Sequence, residues 1–249
     1  MSEKYQIQIG GDLEKALQGN FELDLKSVLR EGWENTRHTK WVMLQGILLA
    51  VAISYALIAF FVPVHSMTDL AQLQSRINPL AAMTITILIT PIMTAVQMMG
   101  ISHSLGGQSR FGDLFRFIPH MLILGVTELA TGLLINIGLS LFILPGIYLL
   151  ITSCFAIPLV AERKLPPLKA IWYSIKVVNH KLWQFGLLFV LFLALMMLCA
   201  FTLGLAYIWV GPFYYNVKGV LYRNIFGTRI KFAPEKQQGQ GKDESVFDA

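Results

Sequence analysis

Glu128 is the one acidic side chain set well inside a long apolar run, so any chemistry within that run starts from it. It lies ten residues beyond Ile118, about 15 Å along a helix, close to mid-membrane. Gly125, Glu128, Gly132 and Asn136 recur at helical spacing and share one face. In the preceding apolar run, Thr86, Thr90, Thr94 and Gln97 do the same. Hydrocarbon offers no hydrogen-bond partner, so two such stripes on neighbouring antiparallel helices are expected to face each other. The threonines and glycines also have a plain packing use: small residues let helices approach, and hydroxyls bond to backbone carbonyls. Glu128 is harder to absorb, because a carboxylate in hydrocarbon costs several kcal/mol unless protonated, paired or hydrated. No Lys or Arg is expected at its depth. Two readings follow. A neutral Glu128 bonded to threonines is structural, whereas Glu128 with Thr90, Thr94, Gln97 and Asn136 forms an intramembrane polar site for a small solute or a proton.

Nothing else in the chain points to catalysis. A Gly-rich phosphate loop with a following Lys, paired zinc histidines and a nucleophile elbow are all missing from the sequence. Gly106-Gly107-Gln108-Ser109 reads as a flexible connector. His38, His65, His103, His120 and His180 stand singly near the ends of apolar runs, where histidines serve as interfacial hydrogen-bonding groups. Cys154 and Cys199 lie inside apolar runs with no metal-ligand spacing and no extracytoplasmic disulfide framework. They read as small buried packing residues. The expectation is a non-enzymatic protein with no metal and no cofactor.

The elements that position Glu128 follow from hydropathy. The 249 residues are 55% hydrophobic and 14% charged, against roughly a quarter charged in soluble domains. Apolar runs fall near 41–62, 79–104, 118–142, 144–161, 183–203 and 205–222. Each is weighed against the roughly 20 residues needed to cross the hydrocarbon core. The predicted fold class is all-α, a polytopic membrane protein with six transmembrane helices in one domain over 41–225. Pro91 is placed to kink the second helix, and Leu144-Pro145-Gly146 turns the third into the fourth. The sixth run contains Pro212, Asn216 and Lys218. It is retained because Lys218 can snorkel to an interface, and because Tyr214, Tyr215 and Tyr222 suit an interfacial belt.

Charge supplies the orientation. Of the 20 Lys and Arg residues, 19 fall in 1–40, 105–117, 162–182 and 218–249, which are alternate gaps between the apolar runs, and only Arg76 falls elsewhere. Cytoplasmic segments retain such residues, so both termini are expected in the cytoplasm. The net charge of +5 sits beside apolar spans rather than on a soluble basic face, which argues against nucleic acid and for anionic lipid head groups. Forty mostly polar residues precede the first run, unlike a cleavable signal peptide. The first span is therefore expected to act as an uncleaved anchor. The stretch 226–249 is expected to be a disordered cytoplasmic tail, polar from Ala233 onward.

Two cytoplasmic segments have the pattern of amphipathic lead-in helices. In the first, within 1–40, Phe21, Leu25, Val28, Leu29, Gly32 and Trp33 form a stripe. The second opens at Pro166-Pro167 and runs Leu168, Ile171, Trp172, Ile175 and Val178 against Lys169, Lys176 and Lys181. An apolar stripe backed by lysines suits a helix in the head-group region, and equally one that caps the bundle. Both segments end in a His and a Lys before a Trp that enters a span, and a shorter version at Phe111–Phe117 enters the third. The unit reads as a lead-in plus a hairpin, used three times.

The segment Phe142-Ile143-Leu144-Pro145-Gly146-Ile147-Tyr148, then Ile157-Pro158-Leu159-Val160-Ala161-Glu162, then Ala170-Ile171-Trp172-Tyr173-Ser174 resembles bacterial six-helix inner-membrane proteins. These include YciC-like proteins and the membrane domain fused to some glycerophosphodiester phosphodiesterases. The resemblance is strong over about 40 residues and implies a bacterial cytoplasmic (inner) membrane location. It carries no catalytic residues, and no phosphodiesterase domain accompanies it here. Together these features predict an integral membrane protein that organises lipids, a membrane-protein partner or further copies of itself. A small-solute or proton-coupled permease using Glu128 is the alternative.

Overall fold

The structure is a computed structural model that describes residues 6–61 and 78–231. Residues 62–77, with His65 and Arg76, and 232–249, most of the stretch expected to be disordered, lie outside the described residues. Over the described residues the chain is all-α apart from one two-stranded ribbon. In order it forms β1 (Gln6–Ile9), α1 (Leu13–Leu17), α2 (Leu25–Phe61), α3 (Pro79–Ser104), two 3-10 turns (Phe111–Phe115 and Ile118–His120), α4 (Met121–Leu141), α5 (Ile143–Thr152), α6 (Ala156–Arg163), α7 (Pro167–Asn179), α8 (Leu182–Phe201), α9 (Tyr207–Phe226) and β2 (Thr228–Lys231).

Among the described residues, five helical stretches are long and apolar enough to cross a membrane: Leu25–Phe61, Pro79–Ser104, Phe111–Leu141, Ile143–Arg163 and Leu182–Phe201. That is the pattern of a multi-pass membrane protein. The remaining long helix, α9, carries Pro212, Lys218 and Arg223 and falls outside that set.

The three segments expected as lead-ins take three different forms. The first is continuous with the apolar run that follows it, giving an uninterrupted α2 of 37 residues, about 55 Å long. The middle one is a 3-10 turn over Phe111–Phe115, and the last is the separate helix α7. α7 buries Ala170, Ile171, Ser174, Val177 and Val178 against the bundle. Leu168 and Trp172 stay exposed on its outer side.

α5 and α6 are two halves of one stretch, broken at 153–155. Pro158 has no N–H to return to the Cys154 carbonyl, which weakens the helix there. Ser174 of α7 spans the gap: its hydroxyl donates to the Thr152 carbonyl at 2.7 Å and accepts from the Phe155 N–H at 3.1 Å. Backbone freed within an apolar stretch is thus satisfied from inside the protein, as a membrane environment demands. By contrast α3 continues through Pro91 as one helix, capped at its start by the Asn78 side chain, which accepts from the Ala81 N–H at 2.6 Å.

α9 lies in the middle of the bundle, against α2, α3 and α8. Its approach to α3 is possible only through Gly219 and Gly100, because a Cβ on Gly219 would fall into the Gly100 backbone. Phe155, Phe185, Tyr222 and Phe226 form an aromatic core joining α6, α8 and α9, with Phe155 and Phe226 centroids 5.4 Å apart. The ribbon closes on the end of α9. β1 pairs antiparallel with β2, Gln6 opposite Lys231 and Ile9 opposite Thr228. Asp12 caps α1 beside it. The Gln8 side chain donates to Asp12 at 3.1 Å and the Glu14 and Lys15 amides donate to it as well, so these bonds hold its carboxyl below the usual value.

Candidate intramembrane site

A cavity of about 320 Å³ opens between α3, α4, α6 and α9. Thr86, Thr90, Thr94 and Gln97 line it from α3, Glu128 from α4 and Tyr215 from α9. Ile85, Ile89, Met93 and Ile157 supply apolar wall. Of the α4 stripe, Glu128 therefore meets the threonine stripe, and α3 and α4 come close where Gly125 faces Ile87: a Cβ at Gly125 would lie 2.9 Å from the Ile87 side chain. Glu128 is exposed and belongs to the cavity wall. It sits seven residues from the start of α4, about 10 Å along the axis.

Asn136 is not among the lining residues. It is exposed two turns further on, and its side-chain amide donates to the Gly132 carbonyl of its own helix at 2.8 Å.

The threonines differ in a way that matters. Thr86 donates to the Ala82 carbonyl at 2.9 Å and Thr90 to the Thr86 carbonyl at 2.6 Å. Thr94 is fully buried, yet its hydroxyl has no hydrogen-bond partner among the described residues. Leaving a buried hydroxyl unpaired costs about 1–3 kcal/mol, so Thr94 is an open acceptor and donor beside the cavity.

A cation also stands near this site. Lys218 does not run to an interface. It turns into the bundle, where its ammonium donates to Gln97 Oε1 at 2.9 Å. Among the described residues it makes no ion pair. Lys218 also lines a second, apolar cavity of about 90 Å³ with Cys154, Phe189 and Tyr214. Sequence patterning points Lys218 and Tyr215 to interfacial roles, and it places neither them nor Ile157 at this site. The available signal was that Lys218 follows Tyr214 and Tyr215 by four and three residues, and so shares their side of α9.

Below this region a different polar cluster ties α2, α3 and α9 together. The Asn216 side chain accepts from His103 Nδ1 at 3.1 Å and donates to Thr36 at 3.0 Å and Thr39 at 3.3 Å. Further along, Arg223 makes a two-pronged contact with the Glu31 carboxylate, one arm at 2.9 Å, and also bonds the Ser104 carbonyl. Arg163 donates to the carbonyls of Phe226 and Gly227, and Tyr222 donates to Glu162 at 2.5 Å.

On α7, Lys169 and Lys176 are exposed and lie over the rings of Tyr173 and Trp172, at 5.6 and 5.1 Å from the centroids. Lys181 is half-buried at the start of α8. Among the described residues no group of three or more His, Cys, Asp or Glu side chains is placed to hold a metal ion. The arrangement offers solvation and hydrogen bonding to a small polar guest. No family model, no curated protein and no solved structure matches the chain.

Proposed function

We propose that the chain is a non-enzymatic protein of the bacterial cytoplasmic membrane, related in kind to the YciC-like proteins, that admits a small solute or a proton to a site at Glu128 as a permease does. The observation that carries this reading is the cavity, with Glu128 accessible and the Thr94 hydroxyl unpartnered in its wall. A carboxylate at such depth is costly in hydrocarbon and inexpensive beside water.

The proposed topology is six crossings with both termini cytoplasmic. Its support is the ribbon: residues 6–9 pair with 228–231, so the two ends share one side and the number of crossings is even. Alongside the five apolar stretches, α9 supplies the sixth. Its lysine is compatible with that role because Gln97 partners it internally. The distribution of Lys and Arg assigns the shared side to the cytoplasm.

Water access is the test. In a Cys154→Ser, Cys199→Ser background, Thr86→Cys, half-buried in the cavity wall, should react with a small membrane-impermeant thiol reagent. Leu133→Cys, on an exposed apolar position of α4, should not. A folded Thr86→Cys protein that resists the reagent from both sides of the membrane would remove the permease reading.

Contact with anionic lipid is a second role, favoured by the outer side of α7. Lys169 and Lys176 flank exposed Leu168 and Trp172 there, an interfacial pattern. Each lysine near the surface contributes about 1 kcal/mol. Replacing Lys169, Lys176 and Lys181 by Gln should cut co-purification of anionic lipid, with neutral lipid unchanged. An unchanged lipid profile would leave α7 as a bundle cap only.

A further inference from the structure

We propose that the Glu128 cavity takes a small organic monocation, an ammonium compound with an apolar body. This rests on the intramembrane-site reading above and assigns that site a ligand class. Among the described residues, Glu128 is the single charged side chain in the cavity wall. The hydroxyl protons of Thr86 and Thr90 are committed to carbonyls of their own helix, so toward the cavity these groups present only lone pairs. Gln97, whose oxygen is held by Lys218, and the Tyr215 hydroxyl add neutral donors. The charge on the wall is therefore the Glu128 carboxylate, with hydroxyl lone pairs beside it, which matches a cation.

The rest of the wall selects which cation. Ile89, Met93 and Ile157 are apolar, and the Tyr215 ring can present its electron-rich face to a positive charge. A bare divalent ion wants six or more oxygen ligands, and one carboxylate with scattered hydroxyls does not provide them. An anion would be repelled by Glu128. The ammonium that could have attracted an anion is drawn onto Gln97 Oε1, and Lys218 is absent from this cavity's lining. The volume of about 320 Å³ is at the small end of organic-ligand sites.

The test uses full-length protein in nanodiscs and three probes of similar shape: benzyltrimethylammonium, its uncharged isostere neopentylbenzene, and phenylacetate. The cation should bind at least about tenfold more tightly than either of the others and should protect Thr86→Cys from the thiol reagent. Glu128→Gln should abolish the preference, and Glu128→Asp, which restores the charge, should retain it. Equal affinity for the isostere, preference for phenylacetate, or a cation preference that survives Glu128→Gln in folded protein would each overturn the proposal. If Thr86→Cys is labelled but no probe binds, the water-accessible site stands and its ligand class falls. If Thr86→Cys is neither labelled nor protected and no probe binds, both fall.

Discussion

Two polar regions of the same bundle use the same kinds of residue to opposite effect. Around Asn216, every group finds a partner: His103 donates to its oxygen, and Thr36 and Thr39 accept from its amide. Asn216 and Thr36 are fully buried and His103 nearly so. Around Glu128, α3 and α4 also meet, but the carboxylate stays accessible and Thr94 has no partner. A closed network ties helices together, because each unmet group would carry a desolvation penalty. An open one leaves that penalty standing until something else occupies the space. The first region reads as a joint and the second as a site.

The steric counterpart of this contrast gives the largest expected effect. At the joint, Gly219 presses on the Gly100 backbone, and backbone cannot swing aside as a flexible side chain does. Gly219→Ala should destabilise by about 3 kcal/mol or more, the upper range of overpacking, and separate α9 from α3. Gly132 of α4 has nothing within 4 Å of where a Cβ would stand. Gly132→Ala should be neutral or stabilise by up to about 1 kcal/mol, since alanine is the better helix former. Thermal unfolding in one detergent, followed by loss of the monodisperse peak, compares the two. Similar shifts for both would mean that the α3–α9 contact is not the close one described.

What the sequence revealed of these regions depended on which physical signal was local. The all-α class and the apolar stretches were legible because hydropathy acts residue by residue; the run expected at 79–104 is α3, opened by Asn78 and Pro79. The facing of Thr86, Thr90, Thr94 and Gln97 toward Glu128 followed from helical period, because hydrocarbon leaves polar stripes no other partner. Asn136 fell away for the same arithmetic reason. Eight residues beyond Glu128, at 3.6 per turn, it has rotated about 80° around the helix and bonds its own backbone. Lys218 was misplaced because a four-carbon stem can turn either way, and only tertiary contact decides. The ribbon was invisible: its two strands have four residues each and lie at opposite ends of the chain. No short-range pattern announces such a pairing. The unbroken α2 was missed because the polar stretch through His38, Thr39 and Lys40 looked like a boundary, although polarity alone does not end a helix.

The finest comparison sets one threonine against another. Thr36 and Thr94 are both fully buried, and Thr→Val exchanges a hydroxyl for a methyl of similar size. At Thr36 the hydroxyl donates to the Gly32 carbonyl at 2.7 Å and accepts from Asn216. Removing it leaves an Asn216 N–H with only the longer bond to Thr39, so Thr36→Val should cost about 1–2 kcal/mol. At Thr94 the hydroxyl has no partner to lose. Burying a methyl there in place of an unpaired hydroxyl should leave stability unchanged within about 0.5 kcal/mol, or raise it slightly. The two variants, measured under identical conditions, should therefore separate by about 1 kcal/mol or more in the order Thr36→Val less stable than Thr94→Val. A loss at Thr94→Val equal to that at Thr36→Val would show that Thr94 already belongs to a closed network, and the distinction between joint and site would fail at its most specific residue.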